Sequence, residues 1–184
     1  MNYSDNVFNG QVAILMATYN AEKFIREQLV SFANQTYPFW KLYVSDDGST
    51  DSSVKVISDF ISNETDHDCL IKDGPKCGFA ANFMSLVCNS DIKAAYYAYS
   101  DQDDIWDEDK LNNAISRLAE VDSAIPALYC SSTLLIDDEN NLIGASPVFP
   151  KKPVSVTRWY KASLAGIQWF SNHAAKKIRK KRVK

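Results

Sequence analysis

The sequence has little of what marks several large classes of protein. Six glycines and six prolines in 184 residues exclude collagen-like chains and Pro/Gly-rich repeats. The longest apolar run near the start, Val12–Ala17, is far shorter than the ~20 residues that a membrane-spanning helix requires. The start also lacks the basic segment of a secretory signal peptide, so we expect the protein in the cytoplasm.

Motifs built on cysteine, histidine or glycine are missing as well. The sequence has no CxxC pair among its four cysteines, Cys69, Cys77, Cys88 and Cys130. A disulfide framework stays possible, but the reduced thiols of a cytosolic protein are favoured. His67 and His173 pair with no Cys or Glu at a ligand spacing, so we expect both on the surface. The absence of GxGxxG and GxxxxGK[ST] argues against a dinucleotide-dependent enzyme or a P-loop NTPase.

Charge is unevenly distributed along the chain. Residues 1–150 contain nine Lys or Arg and all 23 Asp or Glu, a net charge of −14. Residues 151–184 contain 11 Lys or Arg and no acid, and seven of these charges lie in Lys176–Lys184. We expect this basic tail to be a flexible segment that is not under selection for a function, to contact an anionic membrane, or to bind nucleic acid without specificity. A specific nucleic-acid partner is not expected.

Apolar runs and helical periodicities alternate along residues 11–136. The predicted strands are Val12–Ala17, Leu42–Ser45, Cys69–Ile71 and Ala94–Tyr99, followed by Ala127–Ile136 and Asn141–Ala145. The predicted helices have Ile25, Leu29 and Phe32 inward, then a Ser49 or Thr50 cap with Val54 and Ile57 inward, then Phe79–Cys88, then an Asp107 cap with Leu111 and Leu118 inward. This alternation is typical of an open, mostly parallel α/β sheet flanked by helices.

Three of the predicted strands end in polar segments. These segments are Thr18-Tyr19-Asn20, Asp46-Asp47-Gly48 and Asp101-Gln102-Asp103-Asp104. Ligands of open α/β sheets bind outside the carboxyl ends of the strands, where right-handed crossovers bring such segments together. The sequence therefore predicts a ligand site at this edge.

Three carboxylates lie within the four residues Asp101–Asp104. Held together in a crevice they would repel one another, and a hard divalent cation such as Mg²⁺ or Mn²⁺ would offset that repulsion. The alternative is a solvated acidic turn that only precedes the next helix. The position after a buried strand favours the metal site.

Two further segments can be interpreted either as part of a ligand site or as structural turns and loops. One carboxylate of Asp46-Asp47-Gly48-Ser49 could accept hydrogen bonds from a base or ribose, or serve only as Asp-Gly turn chemistry. In Lys76–Asn82, Gly78 allows the backbone to approach a ligand. Asn82, early in a helix, could reach a phosphate or ribose, or the segment is a plain loop.

Four motifs together resemble family 2 glycosyltransferases of the GT-A fold. They are Val12–Asn20, Val44–Asp51, Gly78–Asn82 and Ser100–Trp106, in that order, and the similarity covers about residues 10–146. The chain is most similar to rhamnosyltransferase-type members that build bacterial cell-surface polysaccharides. The resemblance implies a Rossmann-like sheet that binds a nucleotide-diphosphate sugar, here a UDP- or dTDP-sugar such as dTDP-rhamnose.

The resemblance also implies roles for individual residues. Thr18, Tyr19 and Asp46 would line the base and ribose pocket, with Asp47 and Asn82 nearby. Asn20, Gly78 and Gln102 are assigned to the same nucleotide-sugar site. Asp101 and Asp103 would be the family's DxD pair, holding Mg²⁺ or Mn²⁺ against the diphosphate with Asp104 beside them. The family inverts the anomeric carbon, and a general base deprotonates the acceptor, a glycan or lipid-linked saccharide.

In the family that base lies well after DxD, but no Asp or Glu follows Glu139 here. We therefore expect residues 1–150 to form the nucleotide-sugar-binding core and residues 151–184 to be a basic, degenerate remnant of the acceptor half. The unusual segment Gly166–Ser171 is consistent with truncation or a local shift of reading frame. The alternative function is a fragment that binds donor without transfer. A sugar nucleotidyltransferase is disfavoured, because Thr18–Ala21 is not a Gly-rich basic loop.

Overall fold

The computed structural model describes residues 10–64, 66–146 and 169–172. The strands are β1 (Val12–Thr18), β2 (Trp40–Asp46), β3 (Asp68–Asp73), β4 (Tyr96–Ser100), β5 (Leu128–Cys130), β6 (Leu134–Ile136), β7 (Leu142–Ala145) and β8 (Trp169–Asn172). The helices are α1 (Ile25–Ala33), α2 (Ser53–Asn63), α3 (Phe79–Val87) and α4 (Lys110–Ala119). No described helix has both the length and the apolar character to cross a membrane.

The main sheet has six strands in the order β3-β2-β1-β4-β8-β5. The neighbours from β3 to β4 run parallel, whereas β8 is antiparallel to both β4 and β5. This arrangement confirms the predicted open, mostly parallel α/β sheet. Because β1 lies between β2 and β4, the loops that follow these three strands meet at one edge.

Strand β1 is the centre of the hydrophobic core. All seven of its residues are buried, as the uninterrupted apolar run predicts for a strand covered on both faces. Ile14 and Met16 pack on one face with α1, α2 and α4, and Ala13 and Leu15 pack on the other with α3. In α1, Ile25, Leu29 and Phe32 form the buried stripe expected from helical spacing.

The predicted strand Ala127–Ile136 is wrong as a single element. The polar run Ser131-Ser132-Thr133 divides it into β5, which belongs to the main sheet, and β6, which pairs with β7 in a separate hairpin. Polar residues in an apolar run are a weak break signal, so sequence periodicity alone merged the two strands.

Strand β8 comes from the segment expected to be a basic tail. Its residues Trp169–Asn172 pair with Tyr96–Tyr99 on one side and with β5 on the other. Ser171 is fully buried, and its Oγ lies 3.1 Å from the Tyr99 hydroxyl. These four residues are therefore part of the sheet. The remaining residues of 151–184, including the basic run Lys176–Lys184, lie outside the described residues.

Two predicted helix caps fall at other positions. Helix α2 begins after Ser52, because Ser49 and Thr50 already bond Asp46 and Asn20 in the preceding loop. Helix α4 begins after Asp109 instead of Asp107.

Two side chains differ from their predicted environment. Val54, which the helical spacing places inward, is 38% exposed. His67, expected on the surface without a Glu partner, is mostly buried. Its Nδ1 lies 3.2 Å from Glu64 Oε1, and its ring stacks on Trp40 with centroids 3.7 Å apart.

Candidate functional site

A cleft of about 720 Å³ lies at the carboxyl ends of β1, β2 and β4. Its volume falls within the range of about 300–1,000 Å³ typical of small-molecule sites. It is lined by Ala17, Thr18, Tyr19, Asp47, Lys76, Gly78, Phe79, Asn82, Asp101, Gln102 and Asp103. Eight of the predicted site residues are therefore brought together. Asn20, Asp46 and Asp104 lie outside this lining.

Gln102 joins the loop after β4 to the end of β1. Its Oε1 accepts hydrogen bonds from the Thr18 hydroxyl at 3.1 Å and from the Tyr19 backbone N–H at 2.7 Å. The position of Tyr19, whose side chain is 54% exposed, is thus set by the loop that carries Asp101 and Asp103.

Asn20 joins the end of β1 to the loop after β2. It adopts a left-handed backbone conformation with φ of 48°. Its N–H donates to Ser49 Oγ at 2.9 Å, and its Oδ1 accepts from the Thr50 N–H at 2.8 Å. Asn20 therefore shapes the rim of the cleft without lining it.

The Asp46 carboxylate is used within its own turn. It accepts hydrogen bonds from the backbone N–H groups of Gly48 (3.1 Å) and Ser49 (2.9 Å) and from the Ser49 hydroxyl. The turn requires φ of +94° at Gly48, which glycine adopts readily. Asp46 is 6% exposed. The observed contacts of the Asp46 carboxylate are therefore those of an Asp-Gly turn. Its recognition of a base or ribose stays a prediction.

The Asp47 carboxylate holds the loop that follows β3. Its two oxygens accept from the backbone N–H groups of Lys76 and Gly78, each at 2.7 Å. The loop has positive φ at both residues, 56° at Lys76 and 88° at Gly78. These charge-assisted hydrogen bonds fix a strained backbone beside the cleft.

Asn82 bridges the ends of β1 and β2. Its side-chain amide donates to the carbonyl oxygens of Thr18 (3.3 Å) and Ser45 (2.8 Å), and the residue is 2% exposed. Its Oδ1 is buried without a hydrogen-bond partner. A Cβ at Gly74 would lie 2.5 Å from this oxygen and 2.8 Å from the Asp46 carbonyl oxygen, so only glycine fits there.

The acidic loop after β4 combines burial with repulsion. Burial, together with the charges of Asp104 and Asp103, raises the pKa of Asp101 to about 6. A cation at this position would reverse the repulsive part. Within the described ranges no group of three or more His, Cys, Asp or Glu is arranged to hold a metal. Two carboxylates nevertheless match Mg²⁺, which takes one or two from protein and completes its shell with water and phosphate oxygens.

Sequence reasoning missed Ala17, Lys76 and Phe79 as lining residues. Lys76 is the sole basic side chain among the described lining residues, and Phe79 is 61% exposed at the start of α3. The sequence draws attention to Lys76–Asn82 through its glycine and its helix start, but an apolar residue in a helix, such as Phe79, is usually interpreted as part of the core. The signal that could have identified Phe79 is its position directly after Gly78 at the start of the helix.

The chain belongs to glycosyl transferase family 2, whose family model matches residues 13–180. It is 38% identical over 105 residues to the dTDP-rhamnosyl transferase RfbG of Shigella flexneri, covering 56% of this chain and 36% of that protein. It is 30% identical over 141 residues to the UDP-Glc:alpha-D-GlcNAc-diphosphoundecaprenol beta-1,3-glucosyltransferase WfgD of Escherichia coli, covering 77% and 52%. The chain thus spans only about a third to a half of these relatives.

Solved structures show the same fold. The mannosyltransferase PcManGT of Pyrobaculum calidifontis, in complex with GDP-Man and Mn²⁺, superposes with a TM-score of 0.54 at 25% identity, covering 59% of this chain and 32% of that one. Residues 1–349 of S. aureus TarS, in complex with UDP-GlcNAc, superpose with a TM-score of 0.53 at 23% identity, covering 60% and 31%. The architecture is that of the GT-A glycosyltransferases, as the sequence motifs predict.

Proposed function

We propose that the cleft binds a nucleotide-diphosphate sugar and that the protein is an inverting glycosyltransferase acting on a cell-surface saccharide. The observation that carries this proposal is the convergence of Thr18, Tyr19, Asp47, Asp101 and Asp103 on one cleft. Family membership supports the reaction class. The division into a donor-binding core over residues 1–150 and a basic segment after it belongs to the proposal, with β8 as the part of that segment that completes the sheet.

The proposed donor is a UDP- or dTDP-sugar, with dTDP-rhamnose as the first candidate. Support comes from the name of the Shigella relative, a dTDP-rhamnosyl transferase, although the similarity covers 36% of its length. The nucleoside would lie over Tyr19 and Phe79, two exposed aromatic side chains of the lining that offer stacking surfaces. Lys76, the basic side chain among the described lining residues, would offset negative charge of the diphosphate.

Asp101 and Asp103 would hold Mg²⁺ or Mn²⁺, with Asp104 beside them. The metal would stabilise the charge that develops on the departing diphosphate. The burial of Asp101 and its repulsion by Asp104 and Asp103 fit this role, and PcManGT, a neighbour of the same fold, was solved with Mn²⁺. Gln102, between them in sequence, would keep the metal loop in register with the base pocket through Thr18 and Tyr19.

The proposed acceptor is a glycan or lipid-linked saccharide at the inner face of the cytoplasmic membrane, which the basic residues of 151–184 would help the protein approach. Support comes from the Escherichia coli relative, whose name specifies a diphosphoundecaprenol substrate. The general base is not assigned. Asp137 accepts hydrogen bonds within the β6–β7 turn, and Asp138 pairs with Lys23, so both are occupied. The alternative, donor binding without transfer, is an outcome of the test below.

The test is calorimetric titration of the purified chain with UDP, dTDP, GDP and ADP, each with and without Mn²⁺. We expect tightest binding of UDP or dTDP and a clear gain from Mn²⁺. Absence of binding to every nucleotide would refute the proposal. Binding without turnover of the matching nucleotide-sugar would leave the donor-binding alternative.

The substitution Asp103→Asn keeps the shape of the side chain and removes its charge. We expect it to abolish the Mn²⁺-dependent part of UDP or dTDP binding and to leave the fold intact, since Asp103 is exposed. Asp59→Asn, an exposed carboxylate on α2, is the matched control. Equal metal-dependent affinity in Asp103→Asn and the parent would contradict the DxD assignment.

A further inference from the structure

Helix α1 buries two polar side chains beside its apolar stripe. Gln28 is fully buried and Ser31 is 5% exposed, next to the buried residues Ile25, Leu29 and Phe32. The Ser31 hydroxyl donates to the Gln28 carbonyl oxygen at 2.7 Å, so it bonds within the helix. The Gln28 side chain bonds outside the helix. A buried amide is costly unless it is hydrogen-bonded, so the partner of Gln28 indicates its role.

The Gln28 amide begins a buried chain of hydrogen bonds that reaches the acidic loop, residues 101–109. Its Nε2 donates to Ser100 Oγ at 2.9 Å, and Ser100 Oγ donates in turn to the Asp101 carbonyl oxygen at 2.8 Å. Ser100 is 1% exposed. Hydrogen bonds buried in a low dielectric are strong, so this chain fixes the orientation of the peptide that joins Asp101 to Gln102.

The far end of the acidic loop is anchored just after α1. Gln35 is 7% exposed, and its Nε2 donates to the Asp107 carbonyl oxygen at 2.7 Å. Its Oε1 accepts from the Leu111 N–H at 3.0 Å. Helix α1 and the residues after it therefore hold the loop at both ends. Gln28 is the anchor at the end that lies at the cleft.

The carboxylates at the two ends of the loop are used differently. The Asp109 carboxylate accepts from the Thr36 hydroxyl at 2.8 Å, and the Asp107 carboxylate accepts from the Asp109 N–H at 3.0 Å. The carboxylates of Asp101 and Asp103 line the cleft and accept no hydrogen bond from the residues that the structure describes. Other groups thus hold this end of the loop, and these two carboxylates remain for a ligand.

We propose that Gln28 is a positioning residue for the divalent cation: through Ser100 it orients the Asp101 peptide, and with it the carboxylates of Asp101 and Asp103. The assignment rests on the proposed function, because it takes these carboxylates as the ligands of Mg²⁺ or Mn²⁺. Gln28 Oε1 has no hydrogen-bond partner among the described residues, which burial makes unfavourable. An apolar side chain of similar length would therefore suit the core at least as well, but it would not hold Ser100.

The test compares the affinity of the full chain for UDP and dTDP in Mn²⁺ with its affinity in EDTA, both measured by calorimetry. The ratio of the two affinities is the gain from the metal. The variant is Gln28→Met, because methionine is unbranched and flexible enough to fill the same space. We expect the gain to fall about 10-fold, the lower end of the range for groups that orient metal ligands. The affinity in EDTA should change much less, and the melting temperature should not fall.

Ser31→Ala is the matched control, since it removes the other buried polar side chain of α1, whose hydroxyl does not reach the acidic loop. It should keep the full gain from Mn²⁺. Circular dichroism establishes that each variant is folded. If Gln28→Met does not fold, Ser100→Ala replaces it, because it interrupts the same chain at its middle and should reduce the gain in the same direction.

The proposal is overturned if the parent gains affinity from Mn²⁺ and the folded variant gains as much, an outcome that leaves the proposed function standing. It is also overturned if Gln28→Met lowers both affinities by the same factor, or if Ser31→Ala gives the same loss, since Gln28 would then act only through the stability of the fold. A parent that gains nothing from Mn²⁺ would refute the metal site itself, and the role of Gln28 with it.

Discussion

Asp46 and Asp47 are adjacent in sequence, yet their carboxylates bond different parts of the chain. The hydrogen bonds of Asp46 stay within the turn to Ser49, whereas those of Asp47 reach across to Lys76 and Gly78. Sequence alone gives an Asp-Asp-Gly turn and cannot distinguish the two, because the loop that Asp47 holds is about 30 residues away in the chain.

We expect Asp46→Ala to lower the free energy of unfolding by about 1–3 kcal/mol, because the turn N–H groups of Gly48 and Ser49 lose their acceptor. It should also weaken metal-free binding of uridine or thymidine nucleotides. Urea denaturation and calorimetry with EDTA measure the two effects. A loss of affinity seen only with Mn²⁺ would move Asp46 into the metal shell instead.

The raised pKa of Asp101 has a defined consequence for stability. Because folding disfavours its ionised form, stability falls as pH rises from about 4 through the folded-state pKa of about 6. Asp101→Asn removes this loss, so we expect it to raise the melting temperature of the metal-free protein at pH 7.5. The gain should disappear near pH 4, where the parent carboxyl is protonated. A variant that melts lower than the parent at pH 7.5 would contradict this.

Phe79 is a large apolar side chain held in water at the cleft, with its ring 5.6 Å from that of Phe83. We expect Phe79→Ala to weaken UDP or dTDP binding by about 1 kcal/mol through lost stacking area, with little change in stability. Phe39→Ala, at an equally exposed position whose residue does not line the cleft, is the control. Equal affinities of Phe79→Ala and the parent would remove Phe79 from the donor site.

At the scale of elements, predictability follows the range of the interactions. Strand β1 and helix α1 were predicted from sequence because burial on both faces and helical spacing leave local patterns. Strand β8 was not, since its place depends on pairing with β4 some 70 residues earlier. The polar segments that follow β1, β2 and β4 likewise predicted the location of the site. The contribution of Lys76 was not predicted, because it depends on a loop conformation with φ of 56° that no sequence pattern indicates.

We expect β8 to be required for a stable fold. Phe170→Pro removes a backbone N–H from a strand that pairs on both sides, so the lost ladder hydrogen bond should cost about 1–3 kcal/mol. Phe170→Leu, which retains the N–H, is the control for the change of side chain. Equal thermal stability of the proline variant and the parent would mean that residues 169–172 contribute little to the sheet.

At the scale of the molecule, the described residues form the cleft that we propose for the donor, and no general base is assigned. We expect the purified chain to bind nucleotide-sugar and to transfer it slowly, because no carboxylate of the described residues is assigned as general base and catalysis without one is ~10²–10⁴ slower. The measurement is release of nucleoside diphosphate with and without a saccharide acceptor. Transfer at the rate of a full-length relative would refute this expectation and direct attention to Asp137 or Asp138.

Gln102 links the loop that carries Asp101 and Asp103 to the end of β1. Its side-chain oxygen accepts hydrogen bonds from the Thr18 hydroxyl and the Tyr19 backbone N–H. The carboxylates of Asp101 and Asp103 lie on either side of Gln102 in the same loop. A cation bound by this loop would also act on Thr18 and Tyr19, so metal and nucleoside would each raise the affinity of the other by the same factor under the proposed function. If the proposed donor and metal sites are used, the identity of the divalent ion would therefore change the affinity of the cleft for the nucleoside.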